Sequence, residues 1–183
     1  MNKGWLLKFG IFGLVITAAV VLISFGKRGS ADRGTERVRA WDFTLLDMQN
    51  QPIKLSDYRN KVIFVNFWAS WDVHWHEEVP IFNALYEKYR DRGFEIISIS
   101  LDDGGTNDIK PELERMKVNY KVVMGNESVS ADYRIRKIPT TFIIDREGII
   151  RKHYVGILSK AELELDIKTL LYEVPEGGLS LRE

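Results

Sequence analysis

The segment Trp71-Asp72-Val73-His74-Trp75-His76 holds the densest set of reactive side chains in the sequence. One carboxylate and two imidazoles so close together invite a divalent-metal reading, because both are ordinary metal ligands. Their spacing argues against it. Residues two apart on a helix point to nearly opposite faces, so His74 and His76 cannot easily share an ion. Asp72 and His76 have the i,i+4 relation, but two ligands fall short of a structural zinc site. His153 lies on a separate expected strand. No metal and no cofactor is therefore expected; His74 and His76 would be the candidate ligands, and solvated or weakly capping histidines are the plainer reading.

Cysteine is absent. A disulfide framework, a thiolate metal site and a sulfur nucleophile are all excluded by that one fact. Compartment is not decided by it, because oxidising and reducing environments both tolerate a chain without thiols. Lys and Arg number 26, as do Asp and Glu. No net field draws the chain to nucleic acid, and no nucleic-acid partner is expected. The 183 residues, 45% hydrophobic and 28% charged, suit one folded domain with an anchor or tail.

Several elements must position the Trp71–His76 segment. Val62 to Trp68 is a continuous branched and aromatic run, the pattern of a strand buried on both faces. After the segment, Val79, Phe82, Leu85, Tyr86 and Tyr89 recur at helical spacing, with Glu77, Glu78, Glu87, Lys88 and Arg90 elsewhere, until Gly93 stops the helix. Trp41 to Leu46 and Ile53 to Leu55 read as strands about a turn, and Phe94 to Ser100 as a second central strand. Asp102 to Asp108 reads as a loop. Pro111 is placed in the first turn of a helix ending near Lys117. Val122 to Met124 is a short strand and Val129 to Ile135 a short helix. Thr140 to Ile144 and Ile149 to Tyr154 form a hairpin. Ser159 caps a last amphipathic helix through Leu171. Alternating strands and helices with one closing hairpin give an α/β class, a mixed sheet covered on both faces.

Residues 1–8 form a short flank and 9–26 an apolar run without a charge. With Trp5, Leu6 and Leu7 it reaches about 20 residues, the length of a membrane-spanning helix. Its rival is a cleaved signal peptide, with Ser24-Phe25-Gly26 near a small-x-small site. Residues 27–39 read as a flexible linker, 40–172 as the folded domain and 173–183 as a C-terminal tail. Lys27, Arg28, Arg33, Arg37 and Arg39 follow the span, and counting them favours a domain facing the cytoplasm.

Val65-Asn66-Phe67-Trp68-Ala69-Ser70-Trp71 with Glu77-Glu78-Val79-Pro80 resembles the active-site strand and helix of membrane-anchored TlpA/ResA-type thioredoxins. Ile138-Pro139-Thr140-Thr141-Phe142 through Gly148 is similar to that family's proline loop and hairpin. Asp42-Phe43-Thr44-Leu45 and Leu55-Ser56-Asp57-Tyr58 fit its N-terminal elements. The resemblance runs from about Ala40 to Leu171 and implies a thioredoxin-like fold, preceded by a single N-terminal transmembrane helix, with the domain on the extracytoplasmic side. That side conflicts with the basic residues after the span.

The family places Cys-x-x-Cys directly after the tryptophan matched by Trp71, so its two cysteines fall on Asp72 and Trp75. Neither carboxylate nor indole can replace a thiolate in exchange. The resemblance places Asp72 at a helix N-terminus, where it becomes an N-cap. Trp75 either packs against Trp71 or Pro139 or anchors a partner. Asn66 stands where thioredoxin proper has a buried acid, so no buried carboxylate for proton transfer is expected. Lys137 stands near a position where the family often has glycine. The family's proline is cis, and Ile138 before it would offer its N–H and C=O to an extended segment. Trp71, Trp75, Ile138 and Pro139 are thus the expected partner groove. The function expected is a membrane-tethered, redox-inactive protein-binding or assembly module in the cell envelope; the family is one of thiol–disulfide oxidoreductases, but its Cys-x-x-Cys is absent here. The alternatives are a diverged oxidoreductase-family member linked to cytochrome c maturation or envelope thiol metabolism, and a histidine-based metal-handling domain.

Overall fold

The computed structural model describes residues 37–173. Strand β3 (Val62–Trp68) is buried at all seven positions, as its unbroken apolar run requires. It pairs in parallel with β4 (Phe94–Ser100), which pairs in parallel with β5 (Lys121–Met124). On the other side β6 (Thr140–Ile144) and β7 (Ile150–Val155) continue the sheet antiparallel, giving the order β5-β4-β3-β6-β7. A separate hairpin of β1 (Thr44–Leu46) and β2 (Pro52–Lys54) precedes it.

One sheet face presents Ile63, Val65, Phe67, Ile97 and Ile99 to β1 and to helix α3 (Glu127–Asp132). The other presents Val62, Phe64 and Ile96 to α1 (Trp75–Tyr89) and α4 (Lys160–Tyr172). At the carboxyl end of β3, Trp68, Trp75 and Val79 pack with Ile109 and Leu113 of α2 (Thr106–Arg115). The mixed sheet between helical layers is the α/β architecture expected.

Three boundaries differ from expectation, each for a local reason. Trp41 to Phe43 is not strand: the Trp41 carbonyl accepts the Tyr133 hydroxyl at 2.8 Å, and Asp42 Oδ1 accepts Phe43 N and Ser56 N. Such side-chain bonds compete with a ladder. Helix α2 opens at Thr106, inside the expected loop, so Pro111 is its sixth residue and not in its first turn. Pro80 occupies the same place in α1; in each helix one i→i−4 donor is lost. Helix α3 starts early because Asn126 caps it, accepting Val129 N at 2.9 Å, and it stops before Arg134, whose φ is 53°. Ser159 caps α4 as expected, in a reciprocal box with Glu162.

The apolar run at residues 9–26 and the last ten residues lie outside the described residues. Among those described, no helix is long and apolar enough to cross a membrane.

Candidate functional site

Asp102 pins the chain where β3 leaves the sheet. Its carboxylate accepts Ser70 N at 2.9 Å, Ser70 Oγ at 2.6 Å and Ser100 Oγ at 2.7 Å, joining the ends of β3 and β4. From there Asp72 N donates to Ala69 O, and Asp72 Oδ1 accepts His74 N at 3.0 Å. Helix α1 itself begins at Trp75, with His74 at the N-cap and no side-chain bond from that residue. Asp72 therefore caps the turn that feeds the helix, and the expected cap lies three residues ahead of the first helical residue. The physical role survives in part: one N–H at the entrance to α1 is satisfied by a carboxylate.

Trp75 is 3% exposed. It lies against Trp68 at 4.2 Å between ring centroids, with the His76 ring at 5.0 Å. This removes it from the expected groove and corrects the expected packing partner from Trp71 or Pro139 to Trp68. Burying an indole between strand and helix is favourable because it removes a large apolar area from water. Trp71, by contrast, is 71% exposed, and Val73 beside it is exposed too.

The histidines are kept apart by their partners. His76 Nε2 meets Glu112 Oε1 of α2 at 2.5 Å, and Glu112 also holds Arg115. Arg115 and then His76 keep the Glu112 carboxyl low, at about 2. His74 faces Glu77 at 3.9 Å, and His153 stacks on Phe142 at 4.5 Å. Among the described residues no group of three or more potential ligands could hold a metal ion.

Beneath α1 a polar row crosses the sheet. Ser98 Oγ donates to Asn66 Oδ1 at 3.1 Å, and Asn66 Nδ2 donates to Thr141 Oγ1 at 3.1 Å. Glu78 of α1 sits over this row, 3% exposed. Burial pushes its carboxyl up to about 8; the Asn66 amide pulls it partly back and the Asp72 carboxylate adds to the rise. A buried carboxylate is thus present after all, supplied by the helix and not by the strand, which corrects the expectation drawn from Asn66. Glu78 Oε2, Asp72 Oδ2 and the indole Nε1 atoms of Trp68 and Trp75 are buried without a hydrogen-bond partner. Such atoms carry a desolvation cost, and here they gather at one place.

Glu78 was the residue the sequence reading missed. The signal was there: Trp75, Glu78, Phe82, Leu85 and Tyr89 step by three and four, and the structure buries that whole stripe.

Across the sheet end stands the proline loop. The Ile138–Pro139 peptide is cis. Pro139 is buried, its carbonyl accepting Gly156 N at 2.8 Å, while Ile138 is half-buried. Thr140 Oγ1 closes the turn onto Lys137 O at 2.7 Å. The β3–β6 register, Phe67 opposite Thr140, brings the loop after β3 and the residues before β6 to the same end of the sheet. Trp71 and Ile138 are the accessible members of the expected groove.

Residues 37–153 match the AhpC/TSA family. The chain belongs to that family. Relatives in this AhpC/TSA group include the thiol-disulfide oxidoreductase ResA of Geobacillus thermodenitrificans, 30% identical over 130 residues, covering 70% of this chain and 74% of the relative. ResA of Bacillus thuringiensis is 28% identical over 173 residues, covering 93% of this chain and 99% of the relative. Among solved structures, a thiol:disulfide interchange protein of Chlorobium tepidum superposes with a TM-score of 0.69 at 24% identity, over 74% of this chain and 97% of that one. The AhpC/TSA domain thus has a thioredoxin-like fold, and its relatives are thiol–disulfide oxidoreductases. Yet this chain carries no cysteine.

Proposed function

We propose that this chain is a membrane-tethered, redox-inactive member of its family that binds a protein partner at the end of the sheet where its relatives' chemistry is expected. One observation carries the reading: 183 residues contain no sulfur nucleophile, and the two replaced positions have new work inside the fold. Asp72 holds a turn, and Trp75 is part of the core. Thiol–disulfide exchange needs an attacking thiolate and a resolving thiol, and no other side chain supplies them. What remains accessible is a surface suited to contact. Trp71 and Val73 are exposed, and among the described residues the Ile138 backbone has no hydrogen-bond partner. An extended segment can satisfy that N–H and C=O as an added strand would.

The tether is the apolar run at residues 9–26, long enough to span ~30 Å of hydrocarbon. It would hold the domain at the extracytoplasmic face, as the family resemblance implies.

Two measurements test the reading. Insulin reduction with dithiothreitol should proceed at the protein-free rate; turnover clearly above that rate would sink the redox-inactive assignment. Membranes carrying the full chain should yield a co-purifying protein that Trp71→Ala releases. If Trp71→Ala changes nothing recovered, the partner surface lies elsewhere.

A further inference from the structure

Three cations stand within four residues of one another beside Ile138: Arg134, Arg136 and Lys137. Their exposure follows from how the segment is pinned. Tyr133 is buried, while Ile135 and Ile138 pack against the core on the sheet face covered by α3, which leaves the residues between them facing solvent. Several other cations of this domain are committed: Arg151 to Glu173 and Asp145, Lys88 to Glu164, and Lys121 to Glu95. Arg134, Arg136 and Lys137 have no ion pair among the described residues, and Asp132, two residues before Arg134, does not supply one. Lys137 directly precedes Ile138, whose backbone N–H and C=O have no partner among the described residues.

We propose that the partner segment held at this groove is acidic: an extended peptide that pairs with the backbone of Ile138 and sets carboxylates against Arg134, Arg136 and Lys137. The proposal rests on the groove reading above and adds the chemical class of what fills it. A strand laid beside Ile138 advances about 3.3 Å per residue and alternates its side chains. Carboxylates one or two residues from the paired position therefore come within reach of long cationic side chains. Arginine adds geometric selectivity, because its planar fork takes a carboxylate in two parallel bonds. Exposed Trp71 and Val73 at the same sheet end favour an apolar residue among the acidic ones. Three like charges so close together repel one another, and an acidic segment relieves that repulsion where a neutral one does not.

The test uses the full chain in neutral detergent and three fluorescein-labelled peptides of about ten residues, alternating Val with Glu, with Gln or with Lys. Fluorescence anisotropy should rank the Glu peptide tightest and the Lys peptide weakest, with the Glu affinity falling as salt screens the contacts. Reversing Arg134, Arg136 and Lys137 together to Glu should cost about tenfold for the Glu peptide, as three rim-exposed pairs would. It should leave the Gln peptide unchanged. Trp71→Ala should weaken the Glu and Gln peptides alike. Equal binding of Glu and Gln peptides, indifferent to charge reversal, would overturn the acidic class and leave the groove standing. Charge-sensitive binding that ignores Trp71→Ala would overturn the proposal by placing the cations' ligand outside the groove. Failure of all three peptides to bind would overturn the groove reading, and this proposal with it.

Discussion

Asp166 of α4 and Glu78 of α1 are acids buried under helices that share one sheet face, 4% and 3% exposed. Their surroundings differ sharply. Asp166 meets the Lys152 ammonium and accepts the Tyr154 hydroxyl at 2.8 Å, so both its oxygens are occupied. Asp166 first, and Tyr154 with it, holds the Lys152 ammonium above its ordinary range. The pair fastens β7 to α4. Glu78 has no such partner for Oε2, and burial raises its carboxyl to about 8. A buried charge is tolerated when paired; an unpaired one shifts its pKa and neutralises instead. The lesson is positional. Polar atoms without partners collect below the entrance to α1, while the α4 side is closed by ordinary pairing.

The largest expected effect comes from removing the indole that roofs this region. Trp75→Ala should destabilise the domain by about 4 kcal/mol in urea unfolding, the usual cost of truncating a core aromatic. It should also admit water beside Glu78 and bring the carboxyl back toward its ordinary range. An unchanged unfolding midpoint would mean that the indole contributes nothing to the core, and the contrast with α4 would lose its basis.

Glu78→Gln sharpens the comparison through pH. The unfolded carboxyl titrates near 4.5 and the folded one near 8. Between those values the folded state keeps a proton that the unfolded state has released. Stability therefore falls as pH rises from 4.5 to about 8 and levels off above it. Gln carries no titrating proton, so that slope should vanish, and near pH 9 the variant should be the more stable of the two. Asp166→Asn is the opposite case. It weakens two satisfied contacts and should lower stability by about 1.5 kcal/mol near neutral pH. If Glu78→Gln destabilised at every pH, the carboxylate would have a partner beyond the Asn66 amide.

Much of this was legible in the sequence, and the exceptions have physical causes. Buried strands announce themselves: the runs at Val62–Trp68 and Phe94–Ser100 leave no polar face to misread. The Ser159 cap is equally plain. Helix α2 starts earlier than a first-turn Pro111 implies, because the fold tolerates a proline one turn further in, as at Pro80. In the site, the loss of cysteine could be read from composition alone. Glu78 was missed because two adjacent glutamates look like one solvated face, although only Glu77 is on that face. Trp75 was harder. Whether a tryptophan faces a partner or the core depends on the register of α1 against Trp68, a tertiary fact that spacing within the segment does not contain.

The smallest effect concerns Asp72, and it decides whether the entrance to α1 is held as firmly as the end of α4. Asp72 Oδ1 accepts His74 N, and its backbone carbonyl accepts Trp75 N at a longer 3.4 Å. The side-chain bond is the tighter of the two, and it stands at the positive end of the α1 dipole, where a carboxylate is favoured. Asp72→Ala removes the acceptor and should lower stability by about 1 kcal/mol, the ordinary cost of an N-cap deletion. Asp72→Asn keeps an acceptor oxygen but drops the charge, so its loss should be smaller. The same carboxylate adds to the rise at Glu78, so both variants should also lower the Glu78 titration. The two readouts thus move oppositely: unfolding free energy falls while the strain on the buried acid eases. Net destabilisation with a lowered Glu78 titration supports the cap. A variant that eased Glu78 and gained stability would show that the carboxylate costs more in repulsion than it returns as a cap.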